Sequence, residues 1–115
     1  MSITIQELIN QSHSTACEKG WWQDLDRSFG EQLMLMVTEL AEIMEDFRVG
    51  GLTDPENMIY FGDKKKPCGI AVEFADLFIR AADTCGRYGI PLEEALCLKL
   101  EYNKTRPYRH GDKLA

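Results

Sequence analysis

Between Ile70 and Tyr88 the polar residues fall on one line. Read as a helix at about 100° per residue, Glu73, Asp76, Arg80, Asp83 and Arg87 keep the spacing i, i+3, i+7, i+10, i+14, a seam roughly 80° wide. The rest of the stretch is almost wholly apolar or small, from Ile70, Ala71 and Val72 to Phe78, Ile79, Ala81 and Ala82. A helix apolar over so much of its circumference is mostly buried. Its carboxylates then sit at a rim or in a polar site answered by a cation, because unpaired buried charge is costly.

The remaining pattern predicts three more helices. Thr4-Ile-Gln-Glu7 has the form of a capping box, and Ile5, Leu8 and Ile9 give the following helix an apolar side as far as Glu18. Lys19-Gly20 ends it, ahead of Trp21-Trp22. Ser28-Phe-Gly-Glu31 repeats the capping-box pattern and opens a helix through Arg48, closed by Gly50-Gly51. In it Leu33, Val37, Leu40, Met44 and Phe47 recur at 4-3-4-3 spacing, the seam of a bundle helix, opposite a polar arc of Glu31, Thr38, Glu39, Glu42, Glu45 and Asp46. Residues 52–66, with Pro55, Gly62 and a lysine run, read as a loop long enough to be functional. The organising helix is expected from about Pro67 to Gly89, and a fourth from Pro91, acidic in its first turn at Glu93-Glu94 and limited by Pro107. The tail looks irregular, and no segment reads as a strand. The expected fold is all-α, a four-helix-type bundle in a single domain over residues 1–115 with a basic tail from 106.

Composition narrows the function. At 115 residues the chain can bury a core of its own. Its net charge is −6, yet Lys99, Lys104, Arg106, Arg109 and Lys113 outweigh Glu101 and Asp112 at the C-terminal end. An acidic body argues against general nucleic-acid binding, whereas a basic end beside acidic helices suits a small phosphorylated ligand with its own metal. A solvated tail explains the same charges. No apolar run reaches the length of a membrane span, the N-terminus lacks a signal-peptide pattern, and the four cysteines show no metal-ligand spacing. The expected setting is cytoplasmic, with no membrane partner.

The candidate chemistry lies in two acidic pairs, Glu39/Glu42 and Glu73/Asp76, each at i, i+3 on its helix. One such pair alone is commonly a solvated face. Two on long helices of one small domain suggest converging carboxylates, which repel unless a cation holds them ionised. Oxygen-only ligands suit Mg²⁺ or Mn²⁺. A di-iron bundle would want Glu-x-x-His, and neither His13 nor His110 follows a glutamate by three. Lys99, Asn103 and Arg106 share one face of the fourth helix, where Arg suits bidentate phosphate contact and Lys a point charge. Arg109 and His110 would extend that cradle or belong to a mobile tail. Trp22 would stack on a base or serve as packing.

From GWW near residue 20 to the RHGDK tail, the chain resembles the MazG-like nucleoside triphosphate pyrophosphohydrolases, the all-α NTP pyrophosphatases. Glu39-Leu-Ala-Glu42 followed by Glu73-Phe-Ala-Asp76 has that family's ExxE…ExxD arrangement, and KLEYNKTRPYRHGDK resembles its phosphate-contacting end. Thr38 stands where the family often has a further glutamate. The resemblance implies cleavage of (deoxy)nucleoside triphosphates between the α and β phosphates, giving monophosphate and pyrophosphate. Glu39, Glu42, Glu73 and Asp76 would hold Mg²⁺, and one of the four, with Glu39 a candidate by position, would double as the base, a choice the resemblance leaves open. Lys99, Asn103, Arg106, Arg109, His110 and Trp22 would contact substrate, in a homodimer or homotetramer whose subunits complete one another's sites. The implied role is removal of unwanted nucleotides. Two alternatives stay open: a non-catalytic nucleotide- or partner-binding bundle, and a hydrolase of another phosphorylated substrate such as phosphoribosyl-ATP.

Overall fold

The computed structural model describes residues 1–23 and 26–115, and its fold is all-α. The helices are α1 (Ile5–Glu18), α2 (Phe29–Gly50), α3 (Ile70–Tyr88) and α4 (Leu92–Thr105). Local chemistry sets their ends. Thr4 Oγ1 accepts from the Glu7 amide at 3.0 Å and Glu7 Oε1 from the Thr4 amide at 3.2 Å, so the capping box at α1 is complete. Ser28 caps α2 more simply, accepting from the Glu31 amide at 3.0 Å. Gly89, at φ 64°, ends α3 in the left-handed conformation with its amide bonded to the Cys85 carbonyl.

The segment expected to be an irregular loop contains a small hairpin. Strands β1 (Tyr60–Phe61) and β2 (Pro67–Cys68) pair antiparallel, with Tyr60 opposite Cys68 and Phe61 opposite Pro67. Two residues per strand are too few for a readable alternation. The hairpin delays the start of α3 to Ile70 from the expected Pro67. Gly69 makes the junction: it adopts φ 112°, and a Cβ there would collide with the Met58 carbonyl. That carbonyl accepts from the Ala71 amide at 3.0 Å, stitching the loop to the first turn of α3. The tail also departs from expectation, since Arg109–Asp112 form a single turn with positive φ throughout.

Helix α3 is the centre of the bundle, with α1 and α2 packed against it and α4 lying chiefly on α1. The α1–α3 approach is close at Gly86, where a Cβ would stand 2.7 Å from His13 Cβ. Ile9, Ile70 and Ala82 are the buried apolar residues among those described. The orientation of α2 is rotated from the expected one, since Leu35, Met36 and Ile43 share its more covered side with Gln32 and Glu39 while Glu31, Thr38, Glu42 and Glu45 stay exposed. Its apolar seam faces solvent, with Leu33, Val37, Leu40, Met44 and Phe47 between 41% and 51% exposed, while Gln32 and Glu39 turn inward at 5% and 7%. Glu39 faces α3, where Arg80 answers its charge, while the apolar seam stays about half exposed.

The chain is accordingly open. Its accessible surface is 9038 Å², against about 6,400 Å² for a compact monomer of its mass. Its radius of gyration is 16.9 Å, against about 13 Å for a compact domain of this length. No helix among the described residues is long and apolar enough to cross a membrane.

Candidate metal centre and adjoining cavity

The inward face of α2 and the polar seam of α3 meet at their carboxylates. Glu39, Glu42 and Glu73 each bring one oxygen within 4.8 Å of the others. Glu39 is buried, Glu73 half-buried and Glu42 exposed, so the group runs from interior to solvent. Asp76, one turn along α3, stands outside this triplet but feels it. Partial desolvation first, then the charges of Glu39 and Glu42, raise its pKa, while Lys66 and Arg80 act in the opposite sense. Glu73 is pushed up to about 7, by burial first, then by a hydrogen bond with Glu42 and by the charges of Glu42, Asp46 and Asp76. Carboxylates this close share a proton unless another cation replaces it.

Part of that cation is built in. Arg80 Nε donates to Glu39 Oε1 at 2.7 Å, and Glu39 is the most buried of the acids. The opposite oxygen, Glu39 Oε2, is buried without a hydrogen-bond partner among the described residues, and so is Glu73 Oε2. Buried acceptors are rarely left unpaired. An all-oxygen anionic set with two orphaned oxygens is the donor chemistry that hard divalent ions such as Mg²⁺ or Mn²⁺ take.

Beside the carboxylates, between α1, α2 and α3, lies a cavity of about 850 Å³. Trp22, Arg27, Gln32, Glu39, Asp76 and Arg80 contribute to its wall. Such a volume falls within the range of ligand pockets. Trp22 is held firmly: its indole N–H donates to Asp83 Oδ1 at 3.0 Å, and the Arg87 guanidinium lies 5.0 Å from its ring centroid. Asp83 also accepts from His13 Nδ1 at 2.8 Å, tying α1 to α3 at the end of the same polar seam. Arg27 stands 5.3 Å above the Trp21 ring.

Lys99, Asn103 and Arg106 are on α4, whose main neighbour is α1 rather than the α2–α3 face carrying the acids. Lys99 and Arg106 both approach the Tyr102 ring, at 5.1 and 5.7 Å. Arg109 lies over Tyr108 at 5.5 Å, and His110 is exposed in the final turn. The cations whose charge reaches Asp76 are Lys66 and Arg80. Within one chain, then, the structure brings three motif glutamates together, keeps Asp76 at their margin, and leaves the α4 stripe elsewhere.

No family model matches the chain, and neither a curated protein nor a solved structure does. The functional reading therefore rests on side chains. Four residues join the site beyond those expected from sequence: Arg80 through its bond to Glu39, Asp46 through its charge on Glu73, Lys66 through its charge on Asp76, and Gln32 in the cavity wall. Arg80 and Asp46 carried a signal, since each lies on the same helical row as motif acids. Lys66 and Gln32 carried none, because one belongs to a loop and the other is a single amide in a helix.

Proposed function

We propose that this chain is a Mg²⁺-dependent nucleoside triphosphate pyrophosphohydrolase of the MazG-like kind. It would cleave (deoxy)nucleoside triphosphates at the α–β bond, water adding to phosphorus as pyrophosphate leaves and the nucleoside monophosphate forms. One observation carries the reading: Glu39, Glu42 and Glu73 converge across α2 and α3, with Asp76 at their margin, at the edge of a ligand-sized cavity. Glu39, Glu42, Glu73 and Asp76 would hold the ion. When bound, it supplies neutralisation of phosphate charge and a more acidic water. Arg80 holds one oxygen of Glu39, and the other would be free to bind the ion or, were water admitted, to take its proton. Lys66 adds positive charge on the Asp76 side, where the phosphates would lie. The role that follows is clearance of unwanted nucleotides from the pool.

The same reading includes a homodimer or homotetramer. The surface in excess of a compact monomer is about 2,600 Å², as much as a subunit of a large obligate assembly buries. The seam from Leu33 to Phe47 is the natural contact, being apolar, regular and uncovered. Association would let Lys99, Asn103 and Arg106 of one copy reach phosphates held by the acids of another, with Arg109 and His110 beyond them.

The test is purified protein with Mg²⁺ and a panel of NTPs and dNTPs, products resolved by chromatography. Monophosphate with pyrophosphate, abolished by EDTA and by Glu42→Gln or Asp76→Asn with helical circular dichroism retained, is the expected result. Diphosphate with orthophosphate would reject α–β cleavage. Absence of any product would transfer the site to another phosphorylated substrate, such as phosphoribosyl-ATP, or to binding without turnover.

A further inference from the structure

Arg80 is only partly used by the contact that fixes it. Its Nε donates to Glu39 Oε1 at 2.7 Å, and among the described residues this is its only ion pair. A guanidinium carries five N–H donors in a rigid fork and no acceptor, so the four donors on Nη1 and Nη2 remain. Among the described residues these two nitrogens have no hydrogen-bond partner, and neither is buried. The side chain is 39% exposed and forms part of the cavity wall together with Glu39 and Asp76. Asp76 lies one turn earlier on the same face of α3, near enough for the guanidinium charge to act on it. The helix and the bond to Glu39 therefore hold this cation in place while its outer edge stays open. Arg27, another cation of the wall, is engaged differently, lying over the Trp21 ring with its Nε buried.

We propose that Arg80 is a substrate-contacting residue that grips a phosphate of the nucleotide through Nη1 and Nη2 while its Nε keeps hold of Glu39. The inference rests on the nucleotide-hydrolase reading above and deepens it, because it gives the polyphosphate a direct partner within one chain. An ion held by Glu39, Glu42 and Glu73 brings phosphate oxygens to the border of the cavity that Arg80 shares with Glu39 and Asp76. The planar outer edge of a guanidinium matches a pair of phosphate oxygens, as a lysine ammonium does not. A fork already fixed by its inner nitrogen also loses little freedom when the phosphate arrives. Without Arg80 the acids would face the phosphates with the ion as their main counter-charge.

Calorimetric titration with inorganic pyrophosphate at saturating Mg²⁺ tests the contact without turnover and without a base. In Arg80→Met the Kd for pyrophosphate is expected to rise about tenfold or more, the loss of a charge-assisted hydrogen bond. The affinity for Mg²⁺ alone should hold or improve in the same variant, since a competing cation has left Glu39. Opposite responses of the two ligands mark a phosphate contact. Weakening of both together would mean that Arg80 only positions Glu39, and would overturn the proposal. Arg80→Lys keeps the charge but not the fork, and its pyrophosphate affinity should fall between those of the other two proteins. Circular dichroism identifies a Met variant that fails to fold, and a Lys variant that binds pyrophosphate as the wild type does then overturns the contact. Unchanged pyrophosphate affinity in Arg80→Met, or none in the wild type, also overturns it, while nucleotide cleavage by the wild type would keep the hydrolase reading standing. Arg80-dependent pyrophosphate binding in a chain that cleaves no nucleotide would keep the phosphate contact and reject the hydrolase.

Discussion

Glu73 is the residue on which the acidic cluster turns, because it holds a proton to about pH 7 where an ordinary glutamate releases one near 4.5. The folded protein thus binds that proton more tightly than the unfolded chain does, so without metal its stability falls as pH rises between those values and stays reduced above them. A divalent ion competes for the same oxygens. Mg²⁺ affinity is therefore expected to rise with pH up to about 7 and then level off, with proton release on binding at pH 6 and little at pH 8. Calorimetric titration in buffers of different ionisation enthalpy measures this directly, and pH-independent binding over that range would remove Glu73 from the ligand set. Arg80 acts on the neighbouring acid. Replacing it with Met takes away the 2.7 Å bond to Glu39 and leaves that buried carboxylate without its cation, a loss of about 2 kcal/mol. Millimolar Mg²⁺ should restore part of the melting temperature in Arg80→Met, more than it adds to the wild type. Equal increments in both proteins would mean that ion and guanidinium do not serve the same carboxylate.

At the scale of elements, the helices were legible because their ends are marked by local chemistry. Thr4, Ser28, Gly50-Gly51 and Gly89 each act through backbone groups within a few residues, and the observed bounds follow them closely. The meeting of Glu39, Glu42 and Glu73 was legible for a related reason, since i, i+3 spacing gives each helix one acidic row and antagonistic charge then demands a shared partner. What periodicity does not contain is direction. Helix α2 has a well-formed apolar seam and a well-formed polar arc, and which of their residues meets α3 is settled by tertiary partners such as Arg80, which bonds the buried Glu39. The hairpin was hidden by its brevity, and Lys66 by lying in it. The junction at Gly69 depends on tertiary contact as well. Gly69→Ala combines an unfavourable φ of 112° with a collision against the Met58 carbonyl, which also bonds the Ala71 amide. That substitution is expected to cost about 2 kcal/mol or more and to lower Mg²⁺ affinity, because Glu73 sits in the first turn that Gly69 launches. Thermal denaturation with and without Mg²⁺ reads both effects, and an unaltered melting temperature would show that the loop yields at no cost.

For the whole molecule, the decisive fact is how little the chain buries by itself. A helical chain whose buried apolar residues, among those described, are Ile9, Ile70 and Ala82 has little hydrophobic gain to set against its conformational entropy. The five seam residues of α2 supply what is missing only if another surface covers them. Their 4-3-4-3 spacing is that of helices packed side by side, so a copy of α2 is the simplest match in shape and chemistry. Charge placed in the middle of the seam tests this without touching the inward acids. Leu40 is 50% exposed and adjoins Glu39 in sequence, yet it projects about 100° round the helix from it. Leu40→Lys in an isolated monomer would be nearly neutral, as an exposed substitution. In an assembly closed by the seam it buries an unpaired ammonium at every symmetric contact. The expected outcome is dissociation measured by light scattering, a lower melting temperature that no longer depends on protein concentration, and loss of turnover if the α4 stripe serves a neighbouring copy. A variant that stays at the wild-type mass and melts unchanged would place the interface on another face of the bundle. A variant that dissociates but keeps full kcat/KM would show that the acids and cavity of one chain suffice, and that Lys66 and Arg80 supply the positive charge the phosphates need.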